Sequence, residues 1–273
     1  MWQRVVDCLG MTVRVRTDSH EIAGLLAGVL RSYADAQGPI TVDYLLDTSS
    51  PAPRVVRDDV LLSTWEVPIE LVPAFEIDLY NRLITLTPGV PLHSGAVVDA
   101  HGRAVIFAGR SGAGKSTLVR ALLHHGYRYL SEECNVLLGG GRCRGLARAL
   151  NIEDPQIQLP PGYVSDDYLF RDQAQVRFRM FHPPERVIWR GDAQVMGVVA
   201  ITHAPDATND VVPLTSGEAL IALWPAMFRH QPEDLARVGP AFEGVPALRL
   251  HTSSPTLALE RMLSIASELG LEG

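Results

Sequence analysis

The clearest chemical signal in the chain is the stretch FAGRSGAGKSTL, Phe107 to Leu118, in which Gly109, Gly114, Lys115 and Ser116 satisfy G-x-x-x-x-G-K-[ST]. Each position has its own physical reason. Gly109, Gly112 and Gly114 let the backbone take positive φ and curl its N–H groups around an anion. A helix beginning near Lys115 adds the positive end of its dipole. Lys115 is the chain's only lysine among 24 Lys and Arg residues. Its slender ammonium can reach phosphate oxygens where arginine's planar fork would crowd the loop. Ser116 would place its hydroxyl on Mg²⁺. The apolar strand before the loop and the helix after it are the context this motif requires. The expected nucleotide-binding segment is therefore Gly109, Arg110, Ser111, Gly112, Ala113, Gly114, Lys115, Ser116 and Thr117.

Two adjacent acids follow. The span from Lys115 to Glu132 holds one helix and one strand, and a parallel βαβ unit of that length would set Glu132 and Glu133 at the carboxyl end of the strand next to the loop. Two carboxylates at a strand end suit a cation between them, although such a pair also fits a solvated acidic loop. His93, in PLHSG before the loop, fits either a site residue or a satisfied, partly buried histidine.

With these residues in view, LHSGAVV and GRSGAGKSTLVRALLHHGYRYLSEE resemble the HPr kinase/phosphorylase group and its diverged relatives among peptide-tailoring kinases, across about residues 90 to 140. The resemblance implies a P-loop kinase core of the phosphoenolpyruvate-carboxykinase/HPr-kinase type. It implies catalytic roles for His93, Lys115 and Glu132, with Glu132 handling the proton of the acceptor hydroxyl. Ser116 and Glu133 would lie at the metal. The family pair is usually Asp-Asp, and Glu-Glu reaches one methylene farther. No counterpart of the C-terminal signature of true HPr kinases is found, so the expected acceptor is a serine of a small biosynthetic peptide, lasso-peptide precursors included, and not HPr.

Other clusters speak less clearly. Ser165 to Asp167 reads as a helix cap or loop. Arg171, Arg177, Arg179, Arg186 and Arg190 read equally as a solvated face or as a clamp for phosphate or an acidic peptide. His124 and His125 read as the polar end of a helix.

The elements that must position these groups follow from periodicity. MTVRVRT alternates as a strand. Asp18 and Glu21 resemble a capping box before a helix with Ile22, Leu25, Leu26, Val29 and Leu30 on one face. ITVDYLL and VLLSTWEV read as strands around a loop PAPRVVRDD, and a helix runs through PIELVPAFEIDLYNRLIT. TPGVP punctuates the chain there. Gly95–Val98 and Ala104–Ala108 read as a hairpin, Leu118, Val119, Leu122 and Leu123 as a buried helix face, and YRYLS as a strand. NVLLGGGRCRGLARAL reads as an antiparallel pair, and Asn151 to Trp189 as mostly loop. VMGVVAITHA reads as a buried strand; SGEALIALWPAMF and TLALERMLSIASEL read as helices.

The 273 residues, 47% of them hydrophobic, suffice for a large core. A net charge of −7 argues against a general nucleic-acid binder. Cys8, Cys134 and Cys143 lack CxxC spacing and read as free thiols. No uncharged apolar run reaches about 18 residues, so no membrane span is expected. The charged N-terminus lacks the apolar core of a signal peptide, and the expected location is the cytoplasm.

The expected architecture is α/β: a smaller N-terminal α+β domain over residues 1–88 and a P-loop kinase domain over 89–273. The expected function is ATP- and Mg²⁺-dependent transfer of a γ-phosphoryl group to a serine hydroxyl of a small protein or precursor peptide. A nucleotide-binding regulatory or scaffold protein and a kinase of a small-molecule alcohol are the alternatives. Assembly into a homo-oligomer is left open.

Overall fold

The computed structural model describes residues 1–152, 161–169 and 177–273. In chain order the elements begin with β1 (Trp2–Cys8), β2 (Met11–Thr17), α1 (His20–Val29), β3 (Ala34–Asp35), β4 (Val42–Asp47), β5 (Arg54–Arg57), β6 (Val60–Thr64) and α2 (Leu71–Leu86). They continue with β7 (Val90–Val98), β8 (Arg103–Ala108), α3 (Lys115–His124), β9 (Arg128–Ser131), β10 (Cys134–Leu138), β11 (Arg142–Gly145), β12 (Leu150–Ile152), β13 (Val164–Leu169) and β14 (Arg177–His182). The last are β15 (Ala193–His203), β16 (Val211–Pro213), α4 (Ser216–Leu223), α5 (Pro232–Ala241), β17 (Ala247–Thr252) and α6 (Pro255–Glu268). The chain is mixed α/β and divides into two compact units. The first comprises Met1–Leu86 with β12, β13 and β14; the second comprises Thr87–Ala147 and Pro184–Gly273.

The first unit carries a six-stranded sheet in the order β3-β1-β2-β4-β5-β6. β1 and β2 form a hairpin whose turn residues Leu9 and Gly10 both take positive φ. β2 and β4 are parallel, so the intervening chain must cross over, and α1 makes that crossing. Ile22, Leu26, Val29 and Leu30 bury the inner face of α1. Phe75 of α2 meets Tyr44 of β4 edge to face, 5.0 Å between ring centroids. β12, β14 and β13 form a separate antiparallel sheet of three strands.

The second unit has the strand order β11-β10-β7-β8-β15-β17-β16, with β9 also paired to β7. β8, β15 and β17 are mutually parallel neighbours, and β7 is antiparallel to β8. Period-two alternation assigns the two faces. Ala96, Val98, Ala104, Ile106 and Ala108 cluster with Leu223, Ala226, Met227 and Val238 on the side of α4 and α5. Gly95 and Phe107 point the other way, toward α3. A Cβ on Gly95 would stand 2.8 Å from Val119 Cγ2, so glycine is what lets α3 lie against β7. Asp99, fully buried, closes the β7–β8 turn by accepting hydrogen bonds from the backbone N–H groups of His101 and Arg103 and from Arg103 Nε.

Several readings need correction. The cap of α1 is Ser19, whose hydroxyl accepts from Ile22 N, while Asp18 instead accepts from the backbone and hydroxyl of Thr48. RVVR within the expected loop is β5, paired to β6 through Asp58 and Asp59, both at positive φ. Aspartate tolerates that conformation, so Asp-Asp serves as a two-residue hairpin turn. Asn151 to Trp189, expected mostly as loop, contributes to three strands; Ser165 to Asp167 lies within β13, and the register sets Asp167 opposite Arg179. Of the arginines noted above, Arg171 lies outside the described residues. The consecutive division 1–88 and 89–273 differs from the observed units because β12, β13 and β14 interrupt the second and belong with the first.

Candidate functional site

The parallel strands β8 and β15 end on one edge of the second unit's sheet, where Ala108 pairs with Ala200, and the glycine loop continues from β8 at that edge. Carboxyl ends of parallel strands are where open α/β sheets expose backbone for ligands. Gly112 and Gly114 have φ of 79° and 98°, and Gly114 caps α3. Gly109 is required for closeness instead: a Cβ there would stand 2.8 Å from the Ile201 carbonyl oxygen and 3.1 Å from Ala113 Cβ. The loop is thus pressed onto β15, a concave turn that any larger residue would push open.

Lys115, only 6% exposed, folds back over this turn. Its Nζ donates to the carbonyl oxygens of Gly109 at 2.9 Å and Arg110 at 3.1 Å. Burial draws its pKa below the ordinary lysine value, and the Glu133 charge opposes that shift. Ser116 and Thr117 follow in the first turn of α3. Arg120 Nε donates to the Ser116 carbonyl from one turn on.

His93 and Glu133 stand on the β7 side of the loop. His93 Nδ1 is 3.6 Å from Glu133 Oε1, and its ring meets Phe228 edge to face at 5.7 Å. Burial, and then the Lys115 charge, hold His93 below its ordinary pKa, with Glu133 pulling the other way. The mutual influence of His93, Lys115 and Glu133 marks them as one electrostatic cluster.

The route by which Glu133 arrives differs from the expected βαβ unit. β9 does not neighbour β8, because the β7–β8 hairpin fills one edge of β8 and β15 fills the other. β9 and β10 instead run along the far edge of β7, pairing Ala96 with Ser131 and His93 with Cys134. The two glutamates occupy the bend between them, in continuous register opposite Gly95 and Ser94, and Ser94 N donates to the Glu133 carbonyl at 3.2 Å. Ser94 in turn pairs with Ala108, the last residue before the loop. The acids therefore reach the level of the loop with β7 interposed.

Side chains hold this bend in shape. Ser131 Oγ accepts from the N–H groups of Glu133 and Cys134. Asn135 Nδ2 donates to the Ser94 carbonyl at 2.7 Å and to Ser94 Oγ at 3.0 Å. Glu132 turns inward and is 7% exposed, whereas the Glu133 side chain is 40% exposed. No motif marks Ser94, Ser131 or Asn135 in the sequence; their only signal there is a polar residue within an apolar strand.

The other flank of the loop opens into a cavity of about 640 Å³. Thr202 and His203 from the end of β15, Arg249 and His251 from β17, and Ile221 and Pro225 from α4 and the turn after it line the cavity with the loop itself. None of these carried a recognisable motif. Arg186 and Arg190 stand apart from the loop and have local partners: Arg190 makes a two-pronged contact with Glu185, and Arg186 bonds the Pro161 carbonyl.

Among the described residues, no group of three or more His, Cys, Asp or Glu side chains could hold a metal ion, and no helix is long and apolar enough to cross a membrane. The described residues bring the buried Lys115 ammonium, the His93 ring and the partly exposed Glu133 carboxylate together beside the glycine loop.

No protein-family model matches the chain, and no curated protein matches it. Among solved structures, the HPr(Ser) kinase/phosphatase from Coxiella burnetii is similar at 13% identity and a TM-score of 0.32, over 65% of this chain and 98% of that one.

Proposed function

We propose that the chain is an ATP-dependent phosphotransferase that passes the γ-phosphoryl group to a hydroxyl, specifically a serine of a small protein or precursor peptide. The observation that carries this reading is the convergence of Lys115, His93 and Glu133 on one flank of a glycine loop whose shape needs glycine at Gly109, Gly112 and Gly114. A glycine loop opening a helix, with one buried ammonium, suits an anionic polyphosphate. Phosphoryl transfer asks the protein mainly for positioning and charge neutralisation, which such a site supplies.

Mg²⁺ fits here as a partner of the phosphates. Ser116 and Glu133 would hold it, as one or two protein oxygens commonly do, with phosphates and water completing its shell. It would supply neutralisation of the charge on the transferred group. Lys115 would exchange the Gly109 and Arg110 carbonyls for phosphate oxygens. His93, neutral at and above pH 7 because burial and Lys115 disfavour its charge, would stand as a hydrogen-bonding group beside Glu133. The proton-accepting role of Glu132 rests on the family resemblance, and the serine acceptor does so as well.

A second reading, a nucleotide-binding regulatory protein without transfer, is favoured by the burial of Glu132, since an acid 7% exposed has little access to a hydroxyl arriving from solvent. The deciding experiment is radiolabelled ATP with a broad panel of serine peptides and mass spectrometry for a phosphate adduct. Transfer supports the kinase; normal ATP binding without transfer supports the regulatory reading; absence of ATP binding sinks both.

A further inference from the structure

We propose that the cavity on the β15–β17 flank of the glycine loop receives the nucleoside of the bound nucleotide, its base lying against the apolar wall formed by Ile221, Ala222 and Pro225. This rests on the nucleotide reading above and assigns the other half of that ligand.

The first argument is direction. The loop follows β8, and β8 lies between β7 and β15 in the sheet. The Lys115 ammonium, whose chemistry suits the β- and γ-phosphates, shares an electrostatic cluster with His93 and Glu133 from the β7 side. A nucleotide whose terminal phosphate sits there must carry its nucleoside away from β7. The cavity lies in that direction, and residues Gly109 to Ala113 form part of its lining. One molecule can therefore touch the loop and fill the cavity.

The second argument is size and surface. About 640 Å³ falls in the range of small-molecule sites, about 300–1,000 Å³. Ala200 and Ala226 in its lining are buried. Its wall is apolar yet open: Ile221 is 73% exposed at the cavity rim, and the neighbouring Trp224 is 38% exposed. A flat aromatic base covers such a wall without needing hydrogen bonds from it, and stacking against it is tolerant of sequence.

The third argument is charge. Arg110, His203, Arg249 and His251 line the cavity, and among the described residues no carboxylate does. In an acidic protein of net charge −7, the described lining is thus basic and neutral where ribose oxygens and the innermost phosphate would pass. That sign disfavours a cationic ligand and suits an anionic one.

Calorimetry on the full chain tests this with two titrants in the presence of Mg²⁺: ATP, and inorganic triphosphate, which has no nucleoside. Ala222→Trp fills the cavity, and Ile221→Asn makes its wall polar at an exposed position that folding tolerates. Ala222→Trp should raise the Kd for ATP at least tenfold and Ile221→Asn about three- to tenfold, while triphosphate affinity stays within about twofold of the parent. Unchanged ATP affinity in both variants overturns the assignment. So does a parallel loss of ATP and triphosphate, which would mean a disturbed loop, or unchanged ATP affinity with weaker binding of an acceptor peptide. A parent that binds neither titrant overturns the nucleotide reading itself. If Ala222→Trp fails to fold, Ile221→Asn alone decides the outcome.

Discussion

Replacing Lys115 measures the loop directly. Its Nζ stands 2.9 Å from one loop carbonyl and 3.1 Å from the next, in a position only 6% exposed. On nucleotide binding, these neutral acceptors would be exchanged for charged phosphate oxygens. A hydrogen bond to a charged group is worth about 1.5–3 kcal/mol net. Lys115→Ala should therefore weaken ATP by about 10- to 150-fold, since each 1.4 kcal/mol is about tenfold. Lys115→Arg keeps the charge, yet it must fit a larger, planar head where a compact ammonium is already enclosed. Overpacking a buried site costs about 1–3 kcal/mol, so the arginine variant should lose affinity on a similar scale. There is also a pH signature. Bound phosphate stabilises the protonated amine, so affinity should fall as pH rises through the Lys115 pKa, which burial has drawn below 10.5. Calorimetry with ATP and Mg²⁺, beside thermal melts to verify folding, reads both effects. An arginine variant that binds within about threefold of the parent would refute the steric argument for the lone lysine.

The paired glutamates should fail differently. Glu133→Gln should raise the Mg²⁺ concentration needed for transfer, while Glu132→Gln should leave ATP binding intact and slow transfer toward the low end of about 10²–10⁴-fold; a fully active Glu132→Gln removes the base assignment. In the loop, Gly114→Ala places a side chain at φ 98° and should cost about 1–2 kcal/mol. Gly109→Val should weaken ATP by displacing the loop from Ile201, and both are read by melting and titration together. For His93, the folded pKa lies below the ordinary 6.5, so the unfolded chain binds the proton more readily. The neutral residue's contribution to stability is then complete above about pH 6.5 and is lost as pH falls from there toward the folded pKa. Denaturant midpoints from pH 7.5 down to 5 should fall more steeply for the parent than for His93→Gln, and parallel curves would contradict this.

The strand–loop–helix form of the glycine stretch is legible in the sequence because most of its determinants are local. Glycines at 112 and 114, an apolar strand before them and the 3.6-residue period of Leu118, Val119, Leu122 and Leu123 after them each act within a few residues, whereas Gly109 answers to its approach to Ile201 on β15. The β7–β8 hairpin was legible for the same reason, since its turn is closed by Asp99 on its own neighbours. Strand order is decided otherwise. That β9 runs outside β7 follows from both edges of β8 being taken, one of them by a strand some ninety residues later in the chain. The orientation of the acids follows from the register against His93, Ser94, Gly95 and Ala96, which turns Glu133 outward and Glu132 inward. A one-residue slip would exchange them, and nothing in the dipeptide itself selects the register. The cavity is the extreme case. Ile221, Arg249 and His251 meet the loop only after β15 and β17 align in parallel, and parallel pairing between distant segments is a choice that only the packed sheet makes.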